Sequence, residues 1–120
     1  MNNEDLKRRT KRFALDVVKL VEDLPKDPTC KALGNQLLRA GTSVGANYRA
    51  VCRAKSNADF ISKFGNVEEE ADESFFWLDL LVEAGKLSLV EAAPLLQEAD
   101  ELTAIAVSSI NTARKSGRRP

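Results

Sequence analysis

Histidine does not occur among the 120 residues, and that single absence removes several chemistries. No histidine base, no Cys-His or Ser-His pair, no zinc site with an imidazole ligand and no Glu-x-x-His di-iron site can be assembled. No nucleophile has an identifiable activating base, so neither an enzyme nor a cofactor nor a metal is expected. Cysteine is scarce: Cys30 and Cys52 fall near opposite ends of one predicted helix, about 33 Å apart at ~1.5 Å per residue, too far to bridge within it. Both are read as packed, reduced thiols. No apolar run is long enough for a signal peptide or a membrane span, which makes the cytoplasm the expected compartment and leaves no membrane partner. Net charge is missing only as a sum. Residues 1–57 carry +6, residues 58–113 carry −10 and residues 114–120 carry +4. Such a layout suits an anionic partner for the basic parts, or head-to-tail pairing of acidic and basic surfaces between subunits.

What is present is one domain's worth of chain, 43% apolar and 30% charged, organised around Leu33 to Phe60. On a helical wheel Leu33, Leu37, Ala40, Val44, Tyr48 and Val51 share one narrow face, a bundle seam. Beside it Gly34, Gly41 and Gly45 line up, although each costs a helix interior roughly 1 kcal/mol against alanine. The expected offset is close approach of another backbone, from a neighbouring helix or a second subunit, so Gly41 and Gly45 are candidate oligomer contacts. Arg39, Arg49, Arg53 and Lys55 interrupt the segment, which excludes the membrane version of a glycine-spaced contact.

The run Leu37 to Arg49, LRAGTSVGANYR after its first leucine, is followed by Arg53-Ala-Lys-Ser56, Asp59-Phe-Ile61, Glu68 to Glu73 and Trp77-Leu78. In that order these segments resemble the bacterial four-helix-bundle family named after intervening sequences in 23S ribosomal RNA genes, from about Leu6 to Arg114. The resemblance implies a short antiparallel bundle that assembles into a homo-oligomeric ring, a pentamer by preference. It also implies RNA or DNA, and a nucleic-acid-processing protein, as partners, since related accessory proteins of diversity-generating retroelements use such a ring to bind nucleic acid and a reverse transcriptase. Ala50 stands where the resemblance would place an acidic residue.

Taken in order, the pattern predicts four helices at about 4–24, 29–55, 57–84 and 93–113, with residues 114–120 a basic disordered tail. The first has Leu6, Thr10, Phe13, Val17, Leu20, Val21 and Leu24 on its inner face and is stopped by Pro25 and Pro28. Lys7, Arg8, Arg9, Lys11 and Arg12 encircle its opening turns, where the helix dipole already disfavours positive charge. They are either a solvated face or an anion-binding strip. In the second helix, Thr29 is expected to be the N-cap and Asn47 a hydrogen-bonded, partly buried register pin. Arg49 and Arg53 lie outward and either pair with acids of the third helix or face nucleic acid.

Ser56 with Asp59 opens the third helix, Gly85 follows its end, and Phe60, Phe64, Val67, Ala71, Ser74, Leu78 and Leu81 form its seam. Phe76, Trp77 and Leu80 fall where solvent should be, as a subunit contact would require. The acids Glu68 to Glu73 point in several directions and do not converge on one ion. Ser88 and Glu91 signal a fourth helix, but Pro94 is expected to delay its start to Ala93 or Pro94.

These readings make the chain an all-α, antiparallel up-down-up-down four-helix bundle that is one domain and forms an oligomer. It is expected to associate with RNA or DNA through Lys7, Arg8, Arg9, Lys11, Arg12, Arg49, Arg53, Arg114 and Lys115. The alternative is a protein-docking scaffold with no nucleic-acid binding.

Overall fold

In a computed structural model that describes residues 1–117, the chain forms four helices and, among those residues, no strand. Helix α1 (Asn3–Glu22) opens with Asn2 as N-cap: its side chain accepts from the Asp5 amide at 2.9 Å, and Asp5 accepts from the Asn2 amide at 3.1 Å. This reciprocal pair satisfies two of the amides that every helix start leaves without partners. Helix α2 (Pro28–Val51) is capped by Asp27, whose carboxylate accepts from the Cys30 amide at 2.8 Å, and not by Thr29. Aspartate caps well, and proline at the first helical position loses nothing because its missing N–H would have had no partner there. The helix ends at Val51, short of Lys55, in tight turns from Arg53 N to Ala50 O and from Ala54 N to Val51 O.

Helix α3 (Asn57–Glu83) starts on Ser56, whose hydroxyl accepts from the Asp59 amide at 3.0 Å. It closes at Gly85, whose φ of +75° is the left-handed turn that glycine adopts without strain. Helix α4 (Leu89–Gly117) begins four residues before the expected start. Ser88 accepts from the Glu91 amide at 3.1 Å and its hydroxyl donates to the Glu91 carboxylate at 3.0 Å, so the cap outweighs Pro94. The carbonyl that Pro94 leaves unbonded belongs to Val90, which is 85% exposed, so water can satisfy it. The expected tail also shortens: Arg114 and Lys115 are helical, while Arg118 and Arg119 lie outside the described residues.

Each helix runs back along its predecessor. Asn3 at the start of α1 meets Tyr48 near the end of α2, and Asn57 at the start of α3 donates to Ala113 O near the end of α4 at 2.8 Å. The bundle is 56 Å long and about 22 Å across. Its core is the set of seams: Phe13 and Val17, Leu37 and Val44, Leu78 and Leu81, Leu102 and Ala106 are all essentially inaccessible. Two polar side chains share that core, Thr10 and Ser74, and both donate back to their own helix at Leu6 O and Glu70 O. They are satisfied locally and cost the core little.

Gly41 and Gly45 mark a contact inside one chain, which corrects the expectation of an oligomer contact. A Cβ at Gly41 would stand 2.8 Å from both methyls of Val17, and one at Gly45 would stand 3.3 Å from the Thr10 carbonyl oxygen. These glycines let α1 lie against α2 at backbone distance. By contrast α1 meets α4 over a much shorter stretch than the other neighbouring pairs do. Asn47 is half-buried, and among the described residues its side chain has no hydrogen-bond partner. It stands at the edge of the seam where water reaches it, so the register pin expected there is absent.

Candidate nucleic-acid interface

Antiparallel packing brings the start of α1, the end of α2, the start of α3 and the end of α4 to one end of the bundle. Because the basic segments of the sequence are those parts of the chain, Lys7, Arg8, Lys11, Arg49, Arg53, Lys55, Arg114 and Lys115 gather there. Of the compensating acids, Glu68 to Glu73 on α3 lie farther along the axis, while Glu98 and Glu101 on α4 stand level with this end, against Arg9. Four of the cations converge more closely. Lys7, Arg8, Lys11 and Arg49 line an open groove of about 390 Å³ between α1 and α2, whose floor is Ala14, Gly45 and Ala46. Small residues on the floor allow the helices to approach and leave the long cationic side chains as walls.

The five cations of the first helix do not act as one strip. Arg9 turns away from the groove and donates from Nε and Nη2 to the two Glu98 carboxylate oxygens at 2.6 and 2.7 Å, and to Glu101 at 3.0 Å. That three-way contact bridges the narrow α1–α4 contact, so Arg9 is a structural residue and not a phosphate ligand. Arg12 pairs with Asp16 at 3.2 Å along its own helix and stands outside the groove. Lys7 pairs with Glu4 at 3.3 Å and Arg8 with Asp5, both at the exposed surface where such pairs exchange readily with a stronger anion. Lys11, Arg49 and Arg53 have no carboxylate partner among the described residues. Arg39, which no sequence pattern singles out as a pairing residue, is the arginine that meets α3, donating to Glu73 at 2.8 Å.

Electrostatics at this end are set by the caps. The Asp5 carboxyl lies below its usual range, chiefly because it accepts the Asn2 amide and secondarily because Arg8 is beside it. Asp59 is lowered by its bonds from Lys63 Nζ and the Lys55 amide. Both carboxylates are thus committed to helix starts, and Glu4 is the one acid in the wall of the groove. Burial raises the Tyr48 hydroxyl, with Cys52 beside it adding to the effect, so Tyr48 stays a neutral donor to Asn3 at 3.2 Å. Burial also raises the Cys30 thiol, and both cysteines are unbridged. Among the described residues no three of His, Cys, Asp and Glu come together as a metal would require, and no helix is long and apolar enough to cross a membrane.

The family model of the 23S rRNA-intervening sequence protein matches residues 3–108, which includes all of α1, α2 and α3 and most of α4. The chain belongs to that family. A solved relative supports the placement: a crystal structure of a protein of unknown function from the S23 ribosomal protein family of Bacteroides thetaiotaomicron, 31% identical, covers 88% of this chain and 97% of its own, with a TM-score of 0.81. No curated protein matches. Within this family member the remaining candidates divide by exposure. Phe76 is 55% exposed and stands edge-on to Trp77 at 4.9 Å, whereas Trp77 and Leu80 are half-buried. The indole N–H donates to Glu73 at 3.2 Å, so the Arg39–Glu73 pair also holds the tryptophan. Lys55 was absent from the expected set, although its place just before the third helix puts it at the same end as Lys7 in any antiparallel bundle.

Proposed function

We propose that this protein is a non-enzymatic oligomer that associates with RNA or DNA through the basic end of its bundle. Assembly, as a ring with the pentameric stoichiometry the family resemblance implies, would repeat that end around one axis. The observation that carries the reading is the convergence of Lys7, Arg8, Lys11 and Arg49 on one groove, with Arg53 and Lys55 close by on the same end. Phosphate binding by such a surface is driven largely by release of condensed counterions, so a modest cluster repeated by symmetry becomes a multivalent site although the isolated chain is neutral.

The test is the slope of affinity against salt. Replacing Lys7, Arg8, Lys11 and Arg49 by glutamine should leave the oligomer mass unchanged and reduce the magnitude of the log–log slope by just under ~1 for each phosphate no longer neutralised. Wild type that binds neither structured RNA nor DNA near ~50 mM salt, or a variant with an unchanged slope, would falsify the proposal.

A second reading, a scaffold that docks a nucleic-acid-processing protein, is favoured by one feature. Phe76 is largely exposed on a tryptophan held in place by Glu73 and Arg39, the kind of rigid aromatic surface that protein partners use, and in this reading it meets that partner instead of a second copy of the chain.

A further inference from the structure

A second groove opens at the same end, past the start of α1 and between the end of α2, the start of α3 and α4. It exists because the four helices do not finish together: α1 begins at Asn3, while α4 continues to Gly117 beyond it. The end of α2, the start of α3 and the last turns of α4 therefore lack a fourth helix to cover them. What is left is a groove of about 790 Å³, within the ~300–1,000 Å³ range of sites that take small organic ligands.

Its lining combines two kinds of surface. Val51, Phe60 and Ala113 make an apolar floor, in which Phe60 is half-buried and stands edge-on against Phe64 at 5.3 Å. Along the wall contributed by α4 run Ser108, Ser109, Thr112 and Ser116. Elsewhere in the bundle Thr10, Thr42, Ser74 and Thr103 donate their hydroxyls to the carbonyl four residues back. None of the four groove hydroxyls has a protein hydrogen-bond partner among the described residues, and Ser108, Thr112 and Ser116 are exposed, so a ligand would take the place of solvent on them. Lys55 stands at the rim, with no carboxylate partner among the described residues.

The geometry points to a site for an unstacked base of single-stranded nucleic acid. A base is flat and apolar on its faces and polar along its edge, which matches a phenyl floor beside a row of hydroxyls. Its flanking phosphates fall to Lys55 at the rim and to the neighbouring cations of the same end. This rests on the nucleic-acid reading above and narrows its class, because a duplex hides base faces and leaves the groove nothing to recognise. No acid lines the groove, so it is not a cation site.

The experiment uses the full chain, a 12-nucleotide RNA strand carrying one 2-aminopurine, and the corresponding duplex. Phe60→Leu keeps the apolar volume of the floor but removes the ring on which a base would stack, and a variant with alanine at 108, 109, 112 and 116 removes the hydroxyls without disturbing the helix. Helix content and oligomer mass are followed for each. Wild type should raise 2-aminopurine fluorescence in the single strand, because the base leaves the stack with its neighbours, and Phe60→Leu should weaken single-strand affinity about tenfold, within the ~1–3 kcal/mol of one base stack, and leave duplex affinity alone. The alanine variant should keep the fluorescence rise and weaken affinity less. Unchanged fluorescence, or single-strand affinity unaffected by Phe60→Leu while the duplex still binds, overturns the base site and leaves the basic end intact. Loss of oligomer mass at unchanged helix content in either variant makes the groove a contact between copies and also overturns it. Binding of neither probe overturns both readings.

Discussion

A methyl group added at Gly41 would stand 2.8 Å from both Cγ atoms of Val17, a buried β-branched side chain with little freedom to turn aside. Gly41→Ala should therefore lower stability by about 1–3 kcal/mol through overpacking. Gly65 is the control. Nothing lies within 4 Å of its added methyl, so Gly65→Ala should gain up to about 1 kcal/mol from helix propensity alone. Thermal melts of the two variants must move in opposite directions. Glu70 presents a different residue-scale strain: its Oε2 is buried without a hydrogen-bond partner. Burial, then Glu73 and, less, Glu69 on its own helix raise its carboxyl, while Arg39 of α2 partly opposes them. A folded-state pKa above the unfolded value gives stability present below the unfolded value, near ~4.3, and lost as pH rises through the folded value. Glu70→Gln should therefore be more stable than wild type at pH 7, by about 0.2–0.5 kcal/mol, and the gap should close on acidification to about pH 4. Both forms share the lowered caps Asp5, Asp27 and Asp59, whose loss below about pH 4 cancels in the comparison.

Helix α1 divides its basic run between two neighbours, and the division is separable. Arg9→Gln should cost about 1 kcal/mol by breaking the bridge to Glu98 and Glu101, and it should leave nucleic-acid affinity unchanged. Lys11→Gln should do the reverse, since Lys11 lines the groove and holds no ion pair among the described residues. A chemical melt and a binding titration on each variant check the pair, and equal effects on both readouts would dissolve the distinction. This helix also shows where the sequence could be read and where it could not. The centres of the inner faces were legible, because a spacing of three and four leaves few choices for Phe13, Val17, Leu37 or Leu78, whereas Leu20, Val21, Leu33 and Phe60, on the same faces, are half-buried. The caps at Ser56 and Ser88 were legible from side-chain chemistry. Arg9's role was not: an amphipathic pattern marks the inner face but not which neighbour stands to its left or right. Glu98 and Arg9 are 89 residues apart with no local signal joining them. For the same reason the glycine stripe announced a close approach without saying that its partner was α1.

For the whole molecule, the open question in solution is mass. Phe76, with Trp77 and Leu80 behind it, is the broadest aromatic surface left exposed, and we expect it to be covered by another copy. Light scattering of Phe76→Arg with Leu80→Arg should show a smaller particle than wild type, and a wild-type mass near the 13.2 kDa of one chain rules the contact out. The gathering of cations at one end of a 56 Å rod has a further consequence for kinetics. A neutral molecule with its charges so separated feels little net pull towards a polyanion but a considerable torque. It would turn before it touches, like a needle in a field, presenting the lysine and arginine end first. Alignment of this kind reaches only about a Debye length, ~8 Å at physiological salt. Raising the salt should therefore reduce the fraction of collisions that arrive in a productive orientation before it weakens the complex once made.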